Sequence, residues 1–204
     1  MSIILLSGYK RSGKDYLFKI LNKEIECYNN WYVFSNSING KRNLINDNTK
    51  ELVRLSLADK VKKEVLEIYG IPIEVKDKEE KIFTHYKTGE IISARDAWIE
   101  WSAIRKQEDQ LYWVKVIIDK ILPDKITVIT DWRYEYEYQY LSSFFNNITT
   151  VRLFNPNVNI PTDESEVSLD NFTSDFLLVC SSKYEKKVII PLKQYSKFNY
   201  IYKI

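Results

Sequence analysis

A glycine-rich segment near the start of the chain follows a short apolar run and precedes apolar residues at helical spacing. The run is residues 3–6, and the segment is residues 8–15, GYKRSGKD, with the pattern G-x-x-x-x-G-K-D. A strand, a glycine loop and a helix in this order can cradle phosphate groups. Glycines let the backbone approach an anion, and the unpaired N–H groups at the helix N-terminus face it. The sequence therefore predicts a phosphate-binding loop in which Lys14 supplies a mobile positive charge.

Asp15 departs from the usual form of this loop. Most such loops place a Ser or Thr hydroxyl after the lysine, where it ligates magnesium directly. A carboxylate at this position is expected to hold the metal through water. A chance glycine-lysine turn is the alternative, and the matching segments on both sides of the loop disfavour it.

Length and charge limit the classes of protein to consider. With 204 residues, 45% of them hydrophobic, we expect one domain over residues 1–204. The formal net charge is +2, so any anion recognition must be local. Cys27 and Cys180 have no metal or redox spacing, which fits a reducing compartment. The apolar start is too short for a signal or a membrane span, so we expect a cytosolic protein.

Strand-like apolar runs alternate with segments at helical spacing along the chain. Strands are predicted at residues 51–57, 126–130, 149–154 and 176–180, and helices at residues 58–69, 94–105, 109–121 and 135–145. Residues 28–50 resemble a loop or hairpin excursion. The charged run 76–88 is interpreted as a solvated helix, and its His85 is not taken as a site residue. Repeated strand-helix units predict an α/β fold with a parallel sheet covered on both faces.

Polar residues directly after buried strands are the candidates for chemistry, because ligands of open α/β sheets bind beyond the carboxyl ends of the strands. Asp131 and Arg133 follow one strand, with Glu137 one helical turn further, and Arg152 lies in the next strand. Phosphoryl transfer between two anionic substrates needs cations, a metal and carboxylates. The inventory matches, although an ion network of Asp131, Arg133 and Glu137 that stabilises the strand end is an alternative.

Four segments, in this order, resemble the deoxynucleoside monophosphate kinases of phages and viruses. They are the glycine loop with Asp after its Lys, LADKVK at residues 57–62, YWVK at residues 112–115, and D-x-R-x-x-x-E at residues 131–137. The glycine loop is also similar to that of animal phosphomevalonate kinase. The resemblance spans nearly the whole chain and implies the P-loop NTPase three-layer sandwich of nucleoside monophosphate kinases. It also implies ATP as phosphoryl donor and Mg²⁺ as cofactor.

The resemblance implies roles for individual residues. The ATP phosphates are expected at Gly8, Arg11, Ser12, Gly13, Lys14, Asp15 and Tyr16, with Asp15 holding Mg²⁺ through water. The acceptor nucleotide is expected at Lys10, Arg95, Trp113, Asp131, Arg133 and Glu137. Catalysis is expected to depend on Lys14, Arg11, Asp131 and Arg133.

The resemblance also divides the chain by function. Residues 58–121 are expected to form an acceptor-binding helical region, and residues 155–170 a lid-like segment. The expected partners are ATP and a nucleoside monophosphate, without a membrane or stable nucleic-acid binding, and homodimerisation is left open.

Two departures from the family pattern concern charge. Asn155 stands where family members often carry an Arg before a Pro, which weakens the adenine clamp, and no Arg lies between Asn155 and Asp170. Without a lid arginine, Lys10, Arg11 or Arg133 would have to neutralise the transition state.

Two other functions stay open at this point. One is a kinase of another phosphorylated small molecule, phosphomevalonate being the obvious one, and the other is a degenerate P-loop module with a structural or assembly role. Trp113 and Trp132 favour a planar base as acceptor, because an indole stacks well on a nucleobase.

Overall fold

The computed structural model describes residues 2–22, 30–35, 51–181 and 200–203. The chain divides into two compact units. The first unit comprises Met1–Leu55 and Ile121–Ile204, and the second unit comprises Ser56–Lys120. The region expected to bind the acceptor, residues 58–121, falls almost wholly within the second unit, and its role stays a prediction. In the described part of the chain, no helix is long and apolar enough to cross a bilayer.

The elements are numbered in chain order along the described residues. The strands are β1 (Ser2–Gly8), β2 (Asn30–Ser35), β3 (Leu52–Leu55), β4 (Lys81–Thr84), β5 (Ile91–Ser93), β6 (Ile126–Ile129), β7 (Ile148–Phe154), β8 (Phe176–Ser181) and β9 (Tyr200–Lys203). The helices are α1 (Lys14–Leu21), α2 (Leu57–Tyr69), α3 (Ala94–Glu108), α4 (Tyr112–Ile118), α5 (Glu135–Ser142) and α6 (Glu164–Val167).

The first unit is built on a sheet with the strand order β3-β6-β1-β7-β8-β2-β9. The five strands from β3 to β8 are parallel, which confirms the predicted α/β class with a parallel sheet. β1 lies between β6 and β7, with β3 beyond β6 on one side and β8 beyond β7 on the other. Ligands of open parallel sheets bind beyond the carboxyl ends of the strands. The glycine loop leaves β1 at this end of the sheet.

Two strands at one edge of this sheet differ from the expected pattern. β2 pairs antiparallel with β8, and β9 pairs antiparallel with β2. The residues of β2 fall in the segment expected to be a loop or hairpin excursion, and β9 was not predicted. The remainder of that excursion, residues 28–29 and 36–50, lies outside the described residues.

Apolar side chains pack on both faces of the parallel strands, because neighbouring residues of a strand point to opposite faces. On one face, Leu153 and Leu178 pack with Phe18 of α1. On the other face, Leu177 belongs to a second cluster, against which Val167 of α6 packs. Helical segments therefore flank the sheet, an arrangement compatible with a P-loop sandwich.

The second unit contains α2, α3, α4 and an antiparallel hairpin of β4 and β5. The hairpin corrects the interpretation of residues 76–88 as a solvated helix. His85 lies buried at its turn, where Nε2 contacts both carboxylate oxygens of Glu100 at 3.0 Å and Nδ1 accepts a bond of 3.0 Å from the Thr88 N–H. Gly89 has a φ of 73°, which lets the turn close. The contact of His85 with Glu100 of α3 is one that the local pattern of charge does not indicate.

Glu64 joins the helices of the second unit. Its carboxylate accepts hydrogen bonds from Trp101 Nε1 at 2.8 Å and Tyr112 Oη at 2.7 Å, and it pairs with Arg105 Nε at 3.3 Å. Burial alone would raise the pKa of Glu64, but these three donors outweigh it and lower the pKa below its usual value. A buried carboxylate with this many donors ties α2 to α3 and α4.

Candidate phosphate-binding site

The glycine loop turns tightly between β1 and α1. Positive φ angles occur at Gly8 (150°), Arg11 (66°) and Gly13 (100°), and the Ser12 N–H donates to the Tyr9 carbonyl at 3.0 Å. Arg11 is the one non-glycine residue with positive φ in the described ranges, a conformation that costs roughly 1–2 kcal/mol. Its side chain is exposed at the tip of the loop, beside the half-buried Lys10. The backbone thus has the tight turn that the motif predicts.

Gly8 is required by packing as well as by its φ angle. A Cβ atom there would lie 2.6 Å from Ser12 Oγ and 2.7 Å from the carbonyl oxygen of Leu153 in β7. Ser12 Oγ is buried and has no hydrogen-bond partner within the described residues. The start of the loop therefore lies directly against the neighbouring strand.

Tyr9 anchors the loop to the segment after β7. Its hydroxyl donates to Asp170 Oδ2 at 2.8 Å, and its ring lies 5.0 Å from the guanidinium of the buried Arg152. Arg152 also pairs with Asp170 Oδ1. Burial and the Asp170 carboxylate together raise the pKa of Tyr9 to about 12, so the phenol stays protonated and acts as a donor.

Lys14 is folded back over the loop. Its Nζ donates to the carbonyl oxygens of Gly8 at 2.6 Å and Tyr9 at 3.0 Å. Because an ammonium group has three N–H donors, one remains for an anion. Burial lowers the pKa of Lys14 to about 8, and the charges of Arg133 and Arg152 add to this effect.

Two carboxylates oppose that effect on Lys14. The charges of Glu166 and Asp131 raise the pKa of Lys14, so both carboxylates lie within electrostatic reach of it. Lys14 follows the carboxyl end of β1, and Asp131 and Arg133 follow the carboxyl end of its parallel neighbour β6. Three of the four residues on which catalysis was expected to depend therefore lie at the same edge of the sheet. Glu166 was not predicted as a site residue.

Arg133 is paired with the segment expected to be a lid. Its Nη1 donates to Ser165 Oγ at 2.7 Å and lies 2.9 Å from Glu166 Oε1. The Arg133 carbonyl accepts a hydrogen bond from the Ser168 hydroxyl. Residues around α6 are thus attached to the strand end at β6. Sequence reasoning placed these residues in one lid-like segment, but nothing in their spacing indicated that Glu166 faces Arg133.

Glu137 caps a helix. Its Oε2 accepts the backbone N–H groups of Arg133 at 3.0 Å and Tyr134 at 3.1 Å, at the start of α5. The Arg133 guanidinium pairs with Glu166, a partner that the alternative interpretation, an ion network of Asp131, Arg133 and Glu137, did not include. A role of Glu137 at the acceptor stays a prediction.

The tryptophans expected to favour a nucleobase are packed inside their units. Trp132 is 2% exposed in the first unit and donates from Nε1 to the Tyr134 carbonyl at 2.7 Å. In the second unit, Trp113 is also 2% exposed, and its Nε1 donates to the Ser102 carbonyl at 3.3 Å. Neither indole therefore has an exposed face on which a nucleobase could stack. Arg95, also in the second unit, has its Nε 3.7 Å from Glu79 Oε1.

Asp15 follows Lys14 in the first turn of α1 and has an exposed carboxylate. Its side chain is 70% exposed, and Oδ1 lies 3.1 Å from Nε of Arg54 in β3. The next residue, Tyr16, packs against the core beneath α1. In the described part of the chain, no group of three or more His, Cys, Asp or Glu side chains could hold a metal ion.

The residues near the loop could hold Mg²⁺ only together with a bound substrate and water. Mg²⁺ is commonly held by one or two carboxylates, substrate phosphates and water. Asp15 could serve as such a carboxylate, and Arg54 would then compete with the metal for it.

No family model matches the chain, and no curated protein is significantly similar to it in sequence. The geometry of the site and the motif resemblance are therefore the grounds for a proposed function.

Gly8→Ala is expected to lower the free energy of unfolding by about 2–4 kcal/mol, because the new methyl group meets the Leu153 carbonyl and Ser12 Oγ. Gly70→Ala is the control, since Gly70 has a φ of 68° and nothing within 4 Å of its Cβ position. It should cost about 1 kcal/mol, from backbone strain alone. Guanidinium denaturation measures both, and equal losses would contradict the close approach.

Anion affinity is expected to fall as the pH rises through about 8, because only the ammonium form of Lys14 attracts phosphate. The dissociation constant for ATP should be constant below that pH and rise by up to about tenfold per pH unit above it. Isothermal titration calorimetry over this range measures the profile. Lys14→Arg should give a flat profile, since a guanidinium stays charged. The same rise in Lys14→Arg would assign the effect to another group.

Proposed function

We propose that the protein is a P-loop kinase that transfers the γ-phosphoryl group of ATP to a nucleoside or deoxynucleoside monophosphate. The observation that carries the proposal is that Lys14 of the glycine loop and Asp131 and Arg133 lie at the carboxyl ends of the neighbouring parallel strands β1 and β6. Two cations on different elements are what two anionic substrates require. The acceptor class rests on the motif resemblance.

The donor is bound by the glycine loop. The N–H groups at the start of α1 and the ammonium of Lys14 face the β- and γ-phosphates, and the helix dipole adds to their attraction. Lys14 neutralises the charge that develops as the bond from the γ-phosphorus to the β,γ-bridging oxygen breaks. The electron pair of that bond leaves with ADP. Arg11 and Lys10, at the loop tip, supply further positive charge.

The acceptor is bound at the end of β6. An oxygen of its monophosphate forms the new bond to the γ-phosphorus, so Arg133 must orient that phosphate through a two-pronged guanidinium contact. Asp131 accepts a hydrogen bond from the base or sugar. Asp15 would hold Mg²⁺ through water alongside the substrate phosphates, where the ion would neutralise phosphate charge.

The proposed function also implies a fold family, a set of partners and a cellular location. The fold would be the three-layer sandwich of nucleoside monophosphate kinases, supported by the position of the glycine loop beside the central strand β1. The partners would be small nucleotides in the cytoplasm, or the host cytoplasm if the chain is viral, without a membrane or nucleic-acid ligand.

Two other functions each have an observation in their favour. The buried tryptophans remove an argument for a planar base, which favours a kinase of another phosphorylated small molecule, such as phosphomevalonate. Arg133 is already paired with Glu166, and Lys14 contacts its own loop, which favours a nucleotide-binding module without catalysis. Both are separated from the leading proposal by the following assay.

ADP release in a coupled assay across nucleoside monophosphates and phosphomevalonate is expected to identify a nucleotide acceptor. Lys14→Ala should lower kcat by about 10²–10³-fold, as for loss of a group that stabilises transition-state charge. Arg133→Ala should raise KM for the acceptor by about 10–100-fold and leave KM for ATP unchanged, because it removes a charge-assisted contact to one substrate.

Lys19→Ala is the control for these variants, since Lys19 is an exposed lysine on the same helix as Lys14. Its kinetics should match those of the native protein. Release with phosphomevalonate alone would establish the other kinase. Absence of release with every acceptor, together with a thermal shift by ATP, would leave the binding module.

Asp15→Asn is expected to raise the magnesium concentration needed for half-maximal activity at saturating ATP. The reason is the loss of a carboxylate charge that attracts the hydrated ion. Arg54→Ala removes the competing cation and should lower the same midpoint. A magnesium titration of the three proteins decides between this role and a contact with the helix dipole alone, worth about 0.3–1 kcal/mol of stability. In the second case the midpoints coincide, and only the melting temperature of Asp15→Asn falls.

A further inference from the structure

Glu166 is a buried carboxylate on α6 that contacts a cation of the proposed acceptor site. Its side chain is 6% exposed, and Oε1 lies 2.9 Å from Nη1 of Arg133. It is also the charge that most strongly opposes the lowering of the Lys14 pKa. One carboxylate thus forms an ion pair with Arg133 and favours the charged form of Lys14, two cations that the proposed function assigns to substrate phosphates.

A carboxylate and a phosphate are alternative partners for the same guanidinium. Both accept charge-assisted hydrogen bonds from the nitrogen atoms of an arginine. A buried charge without a counter-ion is costly, so Glu166 and Arg133 compensate one another when no ligand is bound. A phosphate that approaches Arg133 meets the Glu166 carboxylate there, and the two negative charges repel one another.

The contacts around α6 allow this carboxylate to be exchanged. The Arg133 side chain is 41% exposed, so an anion can reach it from solvent. Asp163 caps α6 by accepting the Ser165 N–H at 2.9 Å. At the other end of the segment, Asp170 is bound to Tyr9 and Arg152. Glu166 can therefore leave Arg133 while both ends of the segment stay attached.

We propose that Glu166 is an internal counter-ion that occupies the acceptor-phosphate position on Arg133 and must be displaced by the substrate. The inference rests on the proposed function in one respect, the assignment of a phosphorylated acceptor to Arg133. It makes Glu166 a specificity-determining residue. A phosphate monoester dianion displaces Glu166 from Arg133 because it carries more charge than Glu166. A carboxylate or another monoanion does not displace it.

Glu166→Gln tests the inference, because it removes the charge and keeps the length of the side chain. Inorganic phosphate and the nucleoside monophosphates, without ATP or metal, are titrated by calorimetry at one pH. The dissociation constant of phosphate should fall by about tenfold in the variant. Acetate, which the native protein should not bind measurably, should become a detectable ligand. If Glu166 only orients Arg133 for the ligand, Glu166→Gln should instead bind phosphate more weakly, and that result would overturn the inference.

Glu164→Gln is the matched control, since it removes the same charge from an exposed position of the same helix. Its phosphate affinity should equal that of the native protein. A gain of similar size there would reduce the effect to net charge and overturn the inference. In the double variant Glu166→Gln/Arg133→Ala the gain should vanish, which locates it at Arg133.

Folding of the variants is checked by circular dichroism before titration. If Glu166→Gln does not fold, Glu166→Met replaces it with an uncharged side chain of similar length and the same expected result. If neither variant folds, Glu166 is a structural residue and the inference is wrong.

The assay of the proposed function separates the two hypotheses. Tighter phosphate binding by Glu166→Gln without kinase activity of the native protein would uphold the counter-ion and reject the kinase. Kinase activity of the native protein with unchanged or weaker phosphate binding by Glu166→Gln would uphold the kinase and reject the counter-ion.

Discussion

A positive charge held in a partly buried position at the end of the central strand organises the first unit. The ammonium of Lys14 loses hydration there, and burial lowers its pKa to about 8. Two loop carbonyls accept its hydrogen bonds, and the carboxylates of Asp131 and Glu166 face it electrostatically. Such a charge is tolerated only where oxygen atoms replace the lost water. The tight turn of the loop supplies the carbonyl oxygens. Asp131, after β6, and Glu166, in α6, supply the carboxylates.

The glycine loop and the segment after β7 are mechanically connected. Arg152 is buried in β7 and pairs with Asp170, and Asp170 in turn accepts the Tyr9 hydroxyl. A buried guanidinium requires such a partner. On the side of β6, Arg133 is attached to Ser165 and Glu166 of the same segment. The residues expected to form a lid are therefore held at two points, one on the loop and one on the strand end, by charged and hydrogen-bonded contacts. A ligand that competes for Arg133 acts on one of these points and leaves the other in place.

Several features of the fold were accessible from local pattern. The buried runs at β6, β7 and β8 and the helical spacing of α2 and α3 are long and regular enough to be recognised singly. The charged run that contains His85 was assigned wrongly. It forms a hairpin in which the buried His85 contacts the distant Glu100, a contact that no local periodicity encodes. The antiparallel strands β2 and β9 were missed for the same reason. β2 pairs with β8, and β9 pairs with β2, so each pairing joins segments that lie far apart in the chain.

The sequence by itself determined the glycine loop, its lysine and the order of the parallel strands and their helices, because each depends on residues adjacent in the chain. It also indicated Asp131 and Arg133, since polar residues directly after a buried strand gather at one edge of a parallel sheet. Only the tertiary structure decided which carboxylate faces Arg133. Glu137, one helical turn away, caps α5 with backbone bonds, and the distant Glu166 takes the ion pair. The partner of a charged side chain depends on which segments the fold brings within a few ångströms of it. Spacing along the chain does not indicate which segments these are.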